Sequence, residues 1–427
     1  MKLSTEDCQA YLHVLKEELI PAMGCTEPIA IAFAAARAQE LLGEPASSAH
    51  VEASGNMIKN VKSVIVPNTD GMKGIEAACI AGMVAGDAGK KLQVISRVTD
   101  QQKREIKRLS ENPGFCTVSL SPSDIPLYLA VTLTSDHHTA CVVIAQSHLN
   151  IIQEVLDGNI LKQAQPEPAD STTGGNAFDF MRVEGIYEYA QTVNPEEVRD
   201  LIEPQLSYNL AIAEEGLAHD WGANIGKVLL KQDPHNVRQR AKAYAAAGSD
   251  ARMSGCELPV VINSGSGNQG ITVSMPIYIY AREWNVPETK LYRALVLANL
   301  LGIYQKKNIG RLSAYCGAVS AGCAAAAGIG YMDGGDLDAV SHILVNGLAI
   351  ASGVICDGAK PSCAGKIAIA VETGLLAWEM YRERQQFYGG DGIVQKGVES
   401  TIVNIGRLGR QGMRHTDIEI LNMMIGK

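Results

Sequence analysis

The strongest constraint on the fold of this chain is a set of apolar runs made largely of Ala and Gly. IAIAFAAARAQELL follows Glu27 and Pro28, IEAACIAGMVAGDAG follows the NTDGMKG turn, and two longer runs lie around residues 318–332 and 343–356. Side chains this small hold neighbouring helices only a short distance apart, so the sequence predicts helices whose backbones pack closely. The longest runs fall short of the roughly 18–20 apolar residues that a membrane span needs. They read as buried helices.

Turn-forming residues punctuate these helices. PAMGCTEP at 21–28 ends one helix and opens the next, with Glu27 and Pro28 in the first turn, where an acid and a proline are favoured. A strand-like piece, HVEASGNMIKNVKSVIVP, leads into NTDGMKG. Between about residues 92 and 194 the pattern changes to alternation, in VISRV, FCTVSL, LYLAVTLTSD and TACVVIAQS, with one charged helix at 101–111. From Pro195 onward small-residue helices return, broken at SGCELP, NSGSGNQG, GRLSAYCG and CDGAKPSC. The expected fold is α+β: a mostly helical domain built from residues 1–90 and 195–427, with a smaller α/β domain inserted at 91–194. A Gly/Ser/Thr-rich loop with two prolines, AQPEPADSTTGGN at 164–176, closes the insert and reads as a lid. A chain of 427 residues, 46% of them apolar, can bury a core in each part.

Charge narrows the partner. The 37 Lys and Arg against 46 Asp and Glu give −9, spread along the chain, so neither a nucleic-acid footprint nor a polybasic membrane patch is present. A small molecule is the expected ligand. The first ten residues carry Glu6, Asp7 and Cys8 where a secretory signal would have a positive start and an apolar core, so a cytoplasmic location is expected. Ten cysteines in a chain of this length are too sparse for a disulfide scaffold. They should be reduced thiols, free to ligate metal.

Three of the ten stand at helix breaks beside small or turn-forming residues: Cys25 in GCTEP, Cys316 in AYCGA and Cys356 in ICDGAKP. Cys25 lies beside a helix start, where thiolate is favoured. Glycine turns let a cofactor approach the backbone with no Cβ in the way. No C-x₂-C pair exists, so spacing alone does not name a cluster. Cys8, Cys79, Cys116, Cys141 and Cys256 read as core-filling residues.

The ordered motifs PAMGCTEPIAIA, EASGNMIKN, VPNTDGMKG, STTGGNAFDFM, NSGSGNQGI, GRLSAYCGAVSAGC and ICDGAKPSCAGKIA span essentially the whole chain. Through them the sequence resembles the L-cysteine desulfidases, which are related to the alpha chain of iron–sulfur L-serine dehydratases. The resemblance implies that the helical domain is catalytic. It also implies a [4Fe–4S] cluster held by Cys25, Cys316 and Cys356, with one iron open to substrate. Cys323 and Cys363 each follow a proposed ligand by seven residues. Cys363, in a turn after Lys360 and Pro361, is the stronger rival or additional ligand. An open iron acts as a Lewis acid toward a leaving thiolate or hydroxyl.

The implied activity is elimination of L-cysteine to pyruvate, ammonia and hydrogen sulfide. L-serine dehydration by the same mechanism is an alternative, and a non-catalytic iron–sulfur redox sensor is another. A pyridoxal-phosphate lyase would need a Schiff-base lysine with its phosphate cup, which the sequence does not show. The NSGSGNQG turn, with Ser264, Ser266, Asn268 and Gln269, is the first candidate cradle for the substrate α-carboxylate. Asn56, Lys59, Asp70 and Lys73 form a second tier, with Asn56 a substrate-binding candidate and Lys59 and Lys73 candidate bases. Arg311 and Lys360 are placed to balance cluster charge or to serve as helix-end cations. His137 and His138 read as solvated turn residues. A homodimer is the default expectation for a soluble enzyme.

Overall fold

The computed structural model describes residues 3–165 and 178–426, so most of the expected lid at 164–176 lies outside the described residues. The architecture is α+β, mostly helical, with one six-stranded mixed sheet. Helix Gly317–Met332 runs through the centre of the helical body. Around it pack helices Gly267–Glu283, Glu288–Ile309, Leu337–Ala351 and Cys363–Arg382.

The small residues do what their size predicts. A Cβ placed on Gly82 would fall 2.1 Å from the Ala32 carbonyl oxygen, so helices Gly74–Ala85 and Thr26–Leu42 touch backbone to backbone. Gly322 meets Ala370 in the same way, its Cβ position lying 2.5 Å from the Ala370 carbonyl, which locks the central helix onto Cys363–Arg382.

The sheet runs in the order Cys116–Leu120, Ser48–Ala53, Tyr128–Thr134, Thr139–Ala145, Ile151–Leu156, Asn159–Gln163. Only the first two strands are parallel. Ser48–Ala53, before the expected start of the insert at residue 91, is an inner strand, pairing Val51 with Val118 on one side and Val131 on the other. Ala49, Val51 and Ala53 alternate inward, and helix Thr26–Leu42 covers that face. At the other end, helix Val183–Thr192 falls inside 91–194 yet packs on Glu288–Ile309. One apolar core runs through both layers.

VISRV, expected as a strand, forms a turn after a short 3₁₀ segment, Ala88–Gln93. Val94 and Ile95 are buried in the core, and Val94 caps the 3₁₀ segment with helical φ and ψ of −50° and −36°, its N–H donating to the Lys91 carbonyl. His137 and His138 sit in the hairpin turn after Tyr128–Thr134. They are exposed and paired with Glu44 and Asp157, as solvated turn residues should be. Among the described residues no helix is long and apolar enough to cross a membrane.

Candidate active site

Two long-range pairings assemble the site. Pro21–Met23 pairs antiparallel with Pro259–Val261, which sets the Cys25 turn beside the turn at 263–266. The Thr26 hydroxyl then donates to the Gly265 carbonyl at 2.8 Å. Separately, Tyr315 and Ile355 form a single antiparallel bridge. The Cys316 N–H donates to the Val354 carbonyl at 3.1 Å and the Cys356 N–H to the Ala314 carbonyl at 2.7 Å, so two cysteine turns lie side by side.

Four helix N-termini meet as a result. Cys25 caps helix Thr26–Leu42, Cys316 caps Gly317–Met332, Cys363 is the first residue of Cys363–Arg382, and Ser266 caps Gly267–Glu283. Neither capping cysteine spends its side chain on a cap hydrogen bond. The orphan N–H groups and the positive end of each helix dipole favour anions, thiolates included. They surround a cavity of about 100 Å³, open at its mouth, lined by Cys25, Cys316, Cys356 and Cys363 among others.

The four thiols divide into two groups. Burial pushes Cys316 up to about 12, and the neighbouring Cys356 and Cys363 add to the rise. Cys363 is pushed up to about 11, again by burial and then by Cys356. Cys25 is raised by burial and then by Glu27, with Arg252 opposing. Its Sγ donates to Glu27 Oε2 at 2.9 Å. Cys316, Cys356 and Cys363 thus act on one another, while Cys25 is paired with an acid, and Cys363 also packs against the small cluster of Cys25, Val64 and Met253. The three cysteines that the family resemblance groups, Cys25, Cys316 and Cys356, all line this cavity, and so does Cys363, the rival or additional ligand. Cys323 lies outside the cavity, buried in the central helix, its Sγ 2.6 Å from where a Cβ on Gly347 would be. Among the described residues no three His, Cys, Asp or Glu side chains converge as a single metal ion requires. A cuboidal cluster takes each thiolate on a different iron and needs them spread apart.

Glu27 is the hub on the Cys25 side. Its Oε1 accepts from Asn60 Nδ2 at 3.1 Å, and the Thr26 hydroxyl reaches Oε2 at 3.2 Å. Burial alone would raise its carboxyl, but His148, the Cys25 thiol and Arg252 hold it below the usual carboxylate range. His148 comes from the turn between strands Thr139–Ala145 and Ile151–Leu156, is buried, and is pushed down to about 4 by that burial. Its Nε2 has no hydrogen-bond partner.

The cations frame the cysteines. Lys59 is 1% exposed; its ammonium donates to Asp417 Oδ1 at 2.5 Å and to the Cys356 carbonyl at 3.2 Å. The other Asp417 oxygen accepts the Ala314 N–H at 2.9 Å, so this pair ties both cysteine turns from beneath. Gly358, with φ of +90°, lies directly on the Lys59 carbonyl, where a Cβ would come within 2.6 Å. Lys306 also lines the cavity; burial pushes it down to about 8, with Cys356 and Cys316 opposing. Lys360 is lowered by burial, and its ammonium has no hydrogen-bond partner. Arg311 pairs with Glu18 at 2.7 Å, and Lys366 pairs with Asp357.

Of the remaining sequence candidates, Ser266, Asn268 and Gln269 line the cavity. Ser264 does not; its hydroxyl donates to Asn263 at 2.9 Å. Asn56, in the first turn of helix Gly55–Val61, also stays outside, and Asn60 one turn later takes the place expected of it. Asp70 pairs with Lys103 at the surface, and Lys73 is an exposed helix cap outside the cavity. Glu27, Asn60, Arg252 and Lys306 are site residues that the sequence does not single out. The one local signal is Glu27, two residues after a cysteine at a helix start.

Four thiols on one cavity, helix N-termini and a buried ammonium without a hydrogen-bond partner fit a group that is anionic once ligated, as a thiolate-held iron–sulfur cluster is. Residues 89–422 match the family model described as serine dehydratase alpha chain. A UPF0597 protein of Desulfitobacterium hafniense is 51% identical over 98% of this chain and 97% of its own length. UPF0597 proteins of Finegoldia magna and Lachnoclostridium phytofermentans are 47% and 45% identical, over 98% and 97% of this chain and 99% of each relative.

Proposed function

The chain belongs to the serine dehydratase alpha-chain family, whose membership supports a dehydratase-type lyase, and from that premise we propose that it is an iron–sulfur L-cysteine desulfidase releasing pyruvate, ammonia and hydrogen sulfide. The observation that carries this reading is that Cys316, Cys356 and Cys363, which act on one another, line one cavity together with the Cys25–Glu27 pair. The three cysteines would hold a [4Fe–4S] cluster, in a reducing cytoplasm. When bound, the cluster supplies a Lewis-acidic iron that stabilises the leaving β-substituent. A thiolate is a soft leaving group suited to iron, which favours cysteine over serine.

The protein's own groups supply the rest. The Cys25 thiol donates to Glu27 Oε2 at 2.9 Å, and with the thiol raised and the carboxyl lowered the proton stays on sulfur and the charge on Glu27, which leaves this carboxylate as the proton acceptor for Cα on that side of the cavity. Lys306 and Lys360 offset the thiolate charge of the opposite group. Loss of the Cα proton and the β-substituent leaves 2-aminoacrylate, whose imine tautomer takes up water to give pyruvate and ammonia.

The test is parallel measurement of pyruvate from L-cysteine and L-serine, with sulfide from the former, by anaerobically reconstituted protein. Equal molar pyruvate and sulfide from cysteine is the expected result. Pyruvate from serine alone would replace this reading by a serine dehydratase, the activity that names the matching family. Pyruvate from neither would remove the lyase reading and leave an iron–sulfur sensor.

A further inference from the structure

We propose that Arg252 is the counter-charge that seats the substrate α-carboxylate, at the N-terminus of helix Gly267–Glu283; this inference rests on reading the cavity as an amino-acid lyase site. Arg252 is 4% exposed and lines the cavity. Its Nε has no hydrogen-bond partner, and its Nη1 donates to the neutral Asn268 Oδ1 at 3.1 Å. Arg311, Lys59 and Lys366 each have a carboxylate, but among the described residues Arg252 has none within ion-pair distance. A guanidinium does not lose its proton, and leaving one buried without an anion costs stability that a cavity-facing site recovers only on binding.

The surroundings are shaped for a carboxylate. A Cβ on Gly267 would come 2.4 Å from Nε and 2.8 Å from Cζ of Arg252. The guanidinium therefore lies against the first turn of a 17-residue helix, and only glycine leaves room for it there. The helix cap Ser266, with Asn268 and Gln269, lines the same wall, so the arginine fork and the helix's orphan N–H groups face one ligand. Gln269 is held in place by the start of the neighbouring helix, where a Cβ on Gly317 would lie 2.7 Å from its side-chain carbon.

Position selects among anions. Arg252 lies against Gly267, and the Thr26 hydroxyl donates to the Gly265 carbonyl two residues earlier, so the guanidinium stands on the Cys25–Glu27 side of the cavity. The Glu27 carboxylate is already occupied by Cys25, Thr26 and Asn60. An α-carboxylate anchored at Arg252 puts Cα, one bond away, on the Cys25 side and leaves the β-substituent free to reach toward the grouped thiols. The site would accept free α-amino acids and reject their amides and esters.

The experiment uses the cluster-loaded protein, Arg252→Met and Arg252→Lys, with L-cysteine and L-cysteinamide as paired substrates. Losing one partner of a buried charged contact lowers kcat/KM for the acid by about 30-fold or more in Arg252→Met. The preference for acid over amide should collapse toward unity, and Arg252→Lys should recover part of it. Iron and sulfide content and the visible absorption band should match the wild type. Thermal shift with L-alanine, which has no leaving group, gives a readout apart from turnover: stabilisation in the wild type, none with L-alaninamide, and none in Arg252→Met. An Arg252→Met protein that keeps its acid-over-amide preference, or that L-alanine stabilises as it does the wild type, overturns the assignment. A wild type that turns over nothing, yet needs Arg252 for L-alanine stabilisation, sinks the lyase reading and leaves the carboxylate site standing.

Discussion

Replacing Asp417 by Asn removes the acid that joins the two cysteine turns while keeping its shape. In the wild type one carboxylate oxygen accepts from Lys59 and the other from the Ala314 N–H, next to Tyr315 and Cys316. Asparagine has one acceptor oxygen for these two donors, and its NH₂ group would face a donor on the other side. Lys59 would remain buried with only the Cys356 carbonyl at 3.2 Å as partner. Removing one member of a buried ion pair costs about 3–5 kcal/mol, and the 15% exposure of the Asp417 side chain argues for the lower figure. At an unfolding entropy of about 2.1 cal/mol/K per residue over 427 residues, 3 kcal/mol corresponds to a drop of about 3 °C in Tm.

Differential scanning calorimetry and urea titration measure this, with iron retention after gel filtration as a second readout. The double variant Lys59→Met/Asp417→Leu should regain at least half of the lost stability, because no charge is left buried alone. A loss below about 1 kcal/mol for Asp417→Asn, or a double variant no better than the single one, would refute the reasoning.

Three further outcomes are expected. Cys363→Ala should lose most of the iron that the reconstituted wild type holds, whereas Cys25→Ala should keep it; equal iron in both would overturn the choice of Cys363 over Cys25 as a ligand. Asp250 is raised to about 6 by burial, against the backbone N–H groups of Gly226 and Ile225. A carboxyl with a raised folded-state pKa contributes stability below its unfolded value, and that contribution is lost as pH rises through about 6. Asp250→Asn should therefore be more stable than wild type at pH 8, by about 1–2 kcal/mol, and lose that advantage by pH 4, as urea titrations at both values will show. Gly82→Ala should destabilise by about 1–3 kcal/mol or more, because its Cβ would need the space of the Ala32 carbonyl; an unchanged Tm would show that the two helices separate freely.

The local parts of the site are legible in the order of the residues. A cysteine followed by Thr-Glu-Pro marks a helix start, and Cys25 caps a helix; the Gly-rich turn NSGSGNQG likewise ends in a helix cap, Ser266. Small-residue runs form the close helix pairs their composition predicts. The long-range parts are not legible. Lys306 and Lys307 are adjacent in sequence, yet one lines the cavity and the other pairs with Asp179 at 2.7 Å. About 100° of helical phase, set by what the helix packs against, separates a site residue from a surface cation. Lys59 reads as a base because lysine chemistry allows it, but folding commits its ammonium to Asp417, 358 residues away in sequence.

By itself, then, the sequence determined which residues begin helices and which turns lack side chains, and so where thiols and backbone N–H groups could be presented to a ligand. Only the tertiary structure decided which of those helix ends meet. The Pro21–Met23 pairing with Pro259–Val261 and the Tyr315–Ile355 bridge bring Cys25 and Glu27 to Arg252, and Cys316 and Cys356 to the cavity that Cys363 also lines. Capping follows from a few neighbouring residues and their φ and ψ. The company a thiol keeps depends on contacts between segments hundreds of residues apart, which the packing of the whole core selects.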